Sequence, residues 1–242
     1  MTAPEKTCNA LWPGGPKFRQ SREGFPLSTD SVLLAAFAGD IRAKRILDLG
    51  CGAGVLSVLL RCSHPGAELE GIELRPEAAE LCRENLAANG FDASGIRTGD
   101  LREYRSLWPA GSWDLVVSNP PYFPVGSGYS SPDPARAGAR EENACTLEDL
   151  CDAAAWLCRW GGAFALVHRP ERLSALCCAL SGRGLEPKRL RMVQHSAGAA
   201  PILLLVEARR GGKPGLRVEP PLLLTTETGE DSPEVKVIYR RA

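Results

Sequence analysis

Histidine is scarce in this sequence of 242 residues: only His64, His168 and His195 occur, far apart along the chain. The nine cysteines, at 8, 51, 62, 82, 145, 151, 158, 177 and 178, include no C-x-x-C pair. Together these two facts argue against a structural zinc site, and no metal is expected. An odd cysteine count without a secretion signal fits reduced thiols in a cytoplasm, and the thiols, Cys51 included, are expected to be inert packing residues. No apolar run approaches the ~20 residues that a membrane helix needs. Internal repeats and low-complexity linkers are also missing. Net charge is absent as well, with 29 Lys+Arg against 29 Asp+Glu. That balance excludes indiscriminate, strongly basic nucleic-acid binding.

The neutral total hides a division. Residues 36–150 hold 11 Lys+Arg and 17 Asp+Glu, whereas residues 151–217 hold 11 and 4. An acidic first half and a basic second half allow an anionic partner on one face, with solvated surface charge as the alternative. At 44% hydrophobic and 24% charged, the composition is that of a folded protein with a sizeable core.

Short apolar runs alternate with helical patterns from residue 45 onward. Strands are expected at 45–50, 68–74, 95–100, 114–119, 162–169, 190–195 and 202–210. Helices are expected from Val55, over 76–90, over 146–160 behind a Thr146 N-cap, and over 170–184. Trp156 and Trp160 then sit four apart on one helix, where core packing is expected. This alternation predicts an α/β fold: a doubly wound, mostly parallel, Rossmann-like sheet whose last two strands form an antiparallel edge hairpin. One domain is expected over 1–242, with an N-terminal extension and helix (1–44), a core (45–210) and an extended C-terminal appendage (211–242).

In such a sheet, ligands sit beyond the carboxyl ends of the strands. The first core strand ends in Asp48-Leu49-Gly50-Cys51-Gly52-Ala53-Gly54, a turn whose glycines let a ligand approach the backbone. Asp48 at that mouth suits a cationic amino-acid moiety better than a pyrophosphate. Glu73 ends the next strand, 25 residues on, where an acid can accept from ribose hydroxyls. Asp100 ends the third strand, within reach of an adenine amine. After the fourth strand come Asn119-Pro120-Pro121-Tyr122. The Asn carboxamide and the Pro120 carbonyl offer two acceptors to a planar amine, with Tyr122 as a stacking surface. Two such acceptors favour a localised lone pair on nitrogen and stabilise charge developing there during methyl transfer.

DLGCGAG, Glu73, Asp100 and NPPY together resemble a class I S-adenosylmethionine-dependent amino-methyltransferase. The flanking RQSREGFPLSTDSVLLAAF (19–37), NPPYFPVGSG (119–128), ALVHRPERL (165–173) and GGKPGLRVEPPL (211–222) are similar to the bacterial tRNA1(Val) adenine N(6)-methyltransferase family. The resemblance implies S-adenosyl-L-methionine as cofactor, held by Thr29, Asp30, Asp48, Gly50, Gly52, Gly54, Glu73, Asp100 and Asn119. It implies catalysis by Asn119, Pro120 and Tyr122 on an adenine beside the anticodon, extruded from the RNA stack. The implied partner is tRNA, met in the cytoplasm by a monomer without a membrane. Many members carry Ala-Arg-His-Glu after NPPY, whereas this chain has Ala139-Arg140-Glu141-Glu142, and an added carboxylate weakens any phosphate contact there.

For the RNA face, the basic half offers His168, Arg169, Arg183, Lys188, Arg189 and Arg191, with Arg140 from the earlier loop. The alternative for these residues is a buried histidine and solvated cations. Two other functions remain open at this stage. One is methylation of a protein glutamine amide, which presents a similar planar nitrogen; the other is a binding module of this fold without activity.

Overall fold

The computed structural model describes residues 7–20, 29–121 and 145–241. The chain begins with an antiparallel hairpin of β1 (Thr7–Ala10) and β2 (Lys17–Gln20), a two-stranded sheet of its own. The outer edge of β2 is completed by side chains rather than by a third strand. Asn89 accepts from the Lys17 amide at 2.9 Å and donates to the Lys17 carbonyl at 2.8 Å, while Asn85 accepts from the Arg19 amide at 2.7 Å.

Helix α1 (Thr29–Ala38) leads to the core strands β3 (Arg45–Leu49), β4 (Glu68–Glu73), β5 (Ile96–Thr98), β6 (Trp113–Ser118) and β7 (Cys158–His168). Neighbours among these five are parallel. The connections carry α2 (Val55–Ser63), α3 (Pro76–Ala88), the single turn α4 (Tyr104–Leu107) and α5 (Leu147–Leu157). The N-cap expected at Thr146 is present and forms a capping box: Thr146 Oγ1 accepts from the Asp149 amide, and Asp149 accepts from the Thr146 amide. After β7 come α6 (Leu173–Ser181), β8 (Leu185–Gln194), β9 (Pro201–Arg210), β10 (Arg217–Leu223) and α7 (Pro233–Ile238).

The main sheet has eight strands in the order β10-β8-β9-β7-β6-β3-β4-β5. This is the mostly parallel α/β sheet expected from the strand–helix alternation, and β8 and β9 pair antiparallel as expected. The stretch from Gly211, expected as an extended appendage, carries a further strand: β10 runs parallel along β8 and forms the sheet's edge. It also carries α7, whose Val235 is buried in the core.

Both faces of the sheet are covered, which is why its strands are apolar at consecutive positions. Leu115 and Val117 of β6, with Ala163, Ala165 and Val167 of β7, face the core layer under α1 and α2. The intervening Val116, Phe164 and Leu166 face the layer under α5 and α6.

The helix expected to run to residue 160 ends at Leu157 and passes directly into β7. Trp156 packs against the core, but Trp160 lies on the strand with 76% of its surface exposed. That corrects the expectation of a packed helical pair. Gly161, at φ 74°, and Gly162 break the helical pattern at this junction.

Candidate active site

The chain departs from β3 to one side through β4 and β5, and from β6 to the other through β7, so β3 and β6 flank the switch point of the sheet. Just beyond their carboxyl ends lie the glycine turn and the Asn119-Pro120-Pro121 segment. Gly50 and Gly52 have φ of 76° and 54°, values an L side chain adopts at a cost. A Cβ added to either would meet nothing within 4 Å, so this backbone borders open space. Gly54, at φ 81°, differs: its Cβ would meet Cys82 Sγ at 2.6 Å. Its glycine is demanded by the close packing of α2's first turn on α3.

Asp48 lies beneath the turn, 1% exposed. Ser57 Oγ donates to its Oδ2 at 2.6 Å, whereas Oδ1 has no hydrogen-bond partner. Burial pushes its carboxyl up from 3.8 to about 7, against the lowering effect of Ser57 and with a smaller push from Glu73. Asp48 therefore acts on the open space through its field rather than by lining it.

Glu73, also buried, accepts from the Gly52 amide at 3.0 Å through Oε2. Its Oε1 accepts from the Arg75 amide at 3.1 Å and from Arg75 Nε at 3.3 Å. The acid is thereby pinned against the glycine turn. A carboxylate has about four acceptor sites, so with these three donors in place one is left for a ligand's hydroxyl. Asp100 caps the short 3-10 turn Leu101–Glu103, accepting from the Arg102 amide at 2.9 Å, and is paired with the Arg102 guanidinium. That pairing holds its carboxyl below the usual carboxylate range.

Asn119 is placed by a contact that sequence reading missed. Its Nδ2 donates to Ser31 Oγ at 2.9 Å, and Ser31 is buried in the first turn of α1. With Nδ2 committed as donor, Oδ1 is the acceptor of this amide. Ser118, the residue before, donates to the Leu49 carbonyl at 2.7 Å and ties the end of β6 to that of β3. Asn85 performs a third such tie, donating to the Ala53 carbonyl at 2.9 Å from α3 while holding β2. Serine and asparagine inside apolar helical patterns gave no signal that separated them from ordinary polar positions. Thr29 opens α1 close to the Tyr239 hydroxyl, whose pKa it lowers against the effect of burial, and Asp30 is half-buried beside it. Tyr122 and Arg140 lie outside the described residues.

Most of the basic half is engaged by partners within the protein. Arg183 pairs with Asp152 at 2.6 Å. Lys188 Nζ donates to the carbonyls of Lys213 and Gly215 at 3.0 and 2.7 Å. Arg189 is buried between Asp40, Glu207 and the Phe37 carbonyl, and its Nε lies 3.0 Å from Glu207 as an ion pair without hydrogen-bond alignment. Arg191 makes a two-toothed pair with Glu234 at 2.6 Å. His168 is buried, with its Nδ1 beside the Arg169 amide at 2.8 Å. Burial, then Arg172 and Arg169, lower its pKa to about 4, so it carries no charge for a phosphate at neutral pH. Arg169 lies just beyond the end of β7 and donates to the Ile202 carbonyl at 3.3 Å.

The packing expectation for the thiols holds for Cys51, Cys82, Cys151 and Cys158, which are buried, but Cys62 and Cys178 are exposed. Burial raises Cys145, Cys151 and Cys158 to about 12. None of these three is a thiolate nucleophile at neutral pH. Among the described residues no cluster of His, Cys, Asp and Glu could hold a metal ion. No helix among them is long and apolar enough to cross a membrane.

An open glycine floor, an unpartnered carboxylate oxygen beneath it and a second acid anchored at its rim together suit a ligand with a cationic group and hydroxyls. The family model of the methyltransferase small domain matches residues 27–172, a span that contains every one of these features. This chain belongs to the methyltransferase small domain family. It is 37% identical over 190 residues to a tRNA1(Val) (adenine(37)-N6)-methyltransferase of Porphyromonas gingivalis, covering 76% of this chain and 74% of that one. A relative of the same name from Tolumonas auensis is 31% identical over 217 residues, covering 89% and 88%. Among solved structures, one described as a predicted O-methyltransferase from Agrobacterium tumefaciens superposes with TM-score 0.69 at 24% identity, covering 88% of this chain and 97% of that one. The 16S rRNA N2 G1207 methyltransferase of Thermus thermophilus, in complex with AdoMet and guanosine, gives 0.57 at 20% identity, covering 85% and 50%. Both show the same fold.

Proposed function

We propose that this methyltransferase moves a methyl group from S-adenosylmethionine to the exocyclic N6 of an adenine in tRNA, at the position 37 that its relatives' names carry. The observation that carries the reading is the adjacency of two turns. The open glycine floor after β3 and the Asn119-Pro120-Pro121 segment after β6 sit on neighbouring strands, Asp48 opposite Val117.

When bound, S-adenosylmethionine supplies an electrophilic methyl group on a sulfonium. Gly50 and Gly52 offer their backbone to its amino-acid part, and Asp48 supplies negative potential beneath that cationic group. Glu73 receives a ribose hydroxyl, Asp100 the adenine amine, and Thr29 and Asp30 border the site from α1. Gly54 serves by keeping α2 seated on α3.

On the acceptor side, an adenine amine is a poor nucleophile because its lone pair is delocalised into the ring. Asn119 Oδ1 and the Pro120 carbonyl take its two hydrogens, which favours the pyramidal nitrogen and stabilises the positive charge that forms there. Neither proline has an N–H to compete for those acceptors. The surplus proton becomes acidic only after transfer and leaves to solvent, so no general base is required beforehand. Tyr122 is the stacking surface expected for the extruded base.

The test is reconstitution of the purified chain with unmodified tRNA and S-adenosylmethionine, followed by mass analysis of the nucleosides. N6-methyladenosine at position 37 is the expected product. Methylation of a protein glutamine amide instead, with tRNA untouched, overturns the reading.

A further inference from the structure

We infer that the tRNA backbone crosses this protein over the carboxyl end of β7, with Arg172 as a phosphate contact, an assignment that rests on the tRNA reading above. The argument begins with the commitments of the basic half. Besides Arg183, Lys188, Arg189 and Arg191, Arg209 is held by Glu207 and Arg217 by Glu219. Arg159 is held by Asp114. The guanidinium of Arg172, in contrast, makes no hydrogen bond or ion pair with any described residue, and the residue is half-buried in the 3-10 turn Pro170–Arg172.

Position supports the same choice. β6 and β7 are parallel neighbours, with Ser118 opposite Leu166. Asn119 follows the first strand and the turn bearing Arg172 follows the second, so both stand at the same end of the sheet. Arg183 precedes the start of β8 and Lys213 follows the end of β9, so both lie at the other end, where Leu185 pairs with Arg210.

Charge supports it too. Arg169 and Arg172 both act on buried His168, with Glu171 as the opposing charge. On the far flank of the site, Asp100 and Asp149 both face Arg102, leaving an excess of carboxylate that repels phosphate. A backbone leaving the Asn119 site therefore meets a cation on the β7 side and acids on the β5 side.

The experiment measures tRNA binding by the full chain across a salt series, with S-adenosylmethionine affinity recorded in parallel. Arg172→Gln should lower the slope of log affinity against log salt by about 1, and Arg172→Glu should weaken binding about ten-fold at low salt. Arg172→Lys should restore most of it. Lys213→Glu, the same change of charge at the opposite end, should leave binding within about two-fold of the parent. Cofactor affinity should be unchanged in all four. The assignment is overturned if Arg172→Glu binds tRNA like the parent protein, or if Lys213→Glu weakens binding as much. A parent protein that binds no tRNA overturns it together with the functional reading, whereas normal tRNA methylation with an indifferent Arg172 overturns this route alone.

Discussion

Asn119 shows how a side chain three bonds from the backbone can be made an instrument of chemistry. A carboxamide in a surface loop would sample many orientations, but the 2.9 Å bond to buried Ser31 holds this one in place. Asn119→Ala should therefore lower kcat by about 10²–10³-fold, the usual cost of losing one preorganised partner of a developing charge. Ser31→Ala should lower it by about ten-fold, because orientation is loosened while the acceptor remains. Both should retain parental affinity for S-adenosylmethionine by calorimetry; a large loss of affinity would make Asn119 a cofactor anchor instead. Asp48 predicts a pH effect whose sign follows from its carboxyl. At about 7 in the fold against 3.8 ordinarily, it keeps a proton that the unfolded chain has lost. Its contribution to stability is complete below pH 4 and is lost as pH rises through 7, on the order of 4 kcal/mol in all. His168, lowered from 6.5 to about 4, works in the other direction and favours the fold above 6.5. The two offset each other between pH 4 and 6.5. Urea unfolding of Asp48→Asn should expose the His168 slope, with stability rising with pH in that window, and a flat profile would contradict it. In the parent protein at pH 6, a cationic cofactor above Asp48 should also release a proton, measurable as a buffer-dependent heat of binding.

Among the secondary-structure elements, the alternation of apolar runs with amphipathic ones was enough to place β3 to β9 and the helices α2, α3, α5 and α6, because burial on both faces leaves a plain imprint on each strand. The Pro-rich stretch after Gly211 was opaque, since Pro220 and Pro221 suit only an edge strand, and β10 is that edge. The N-terminal hairpin escaped notice because its outer edge pairs with Asn85 and Asn89 rather than with another strand. Those asparagines tie α3 to β2, and Asn85 ties both to the glycine turn. Asn85→Ala leaves the Arg19 amide and the Ala53 carbonyl without their partner, and should cost about 2–3 kcal/mol by denaturant unfolding. A loss under about 0.5 kcal/mol would show that the hairpin is held by other means. The glycine turn, the acids and Asn119 were legible as a site because each follows a strand. Ser31, Ser57 and Ser118 were not, because a serine in sequence does not say which buried group it will meet.

For the whole molecule, net charge by segment says less than where each charge is held. Most of the arginines in residues 151–217 pair with acids, some of them distant in sequence, such as Arg189 with Asp40 and Arg191 with Glu234. Arg169 and Arg172 stand at the end of β7, on the same side of the sheet as the open glycine turn and its buried acid. The most direct measurement is the mapping of modified nucleosides in total tRNA from cells with and without the gene. Loss of N6-methyladenosine at position 37 of a valine tRNA, restored by the parent protein but not by Asn119→Ala, is the predicted result. An unchanged tRNA profile in cells lacking the gene would contradict it.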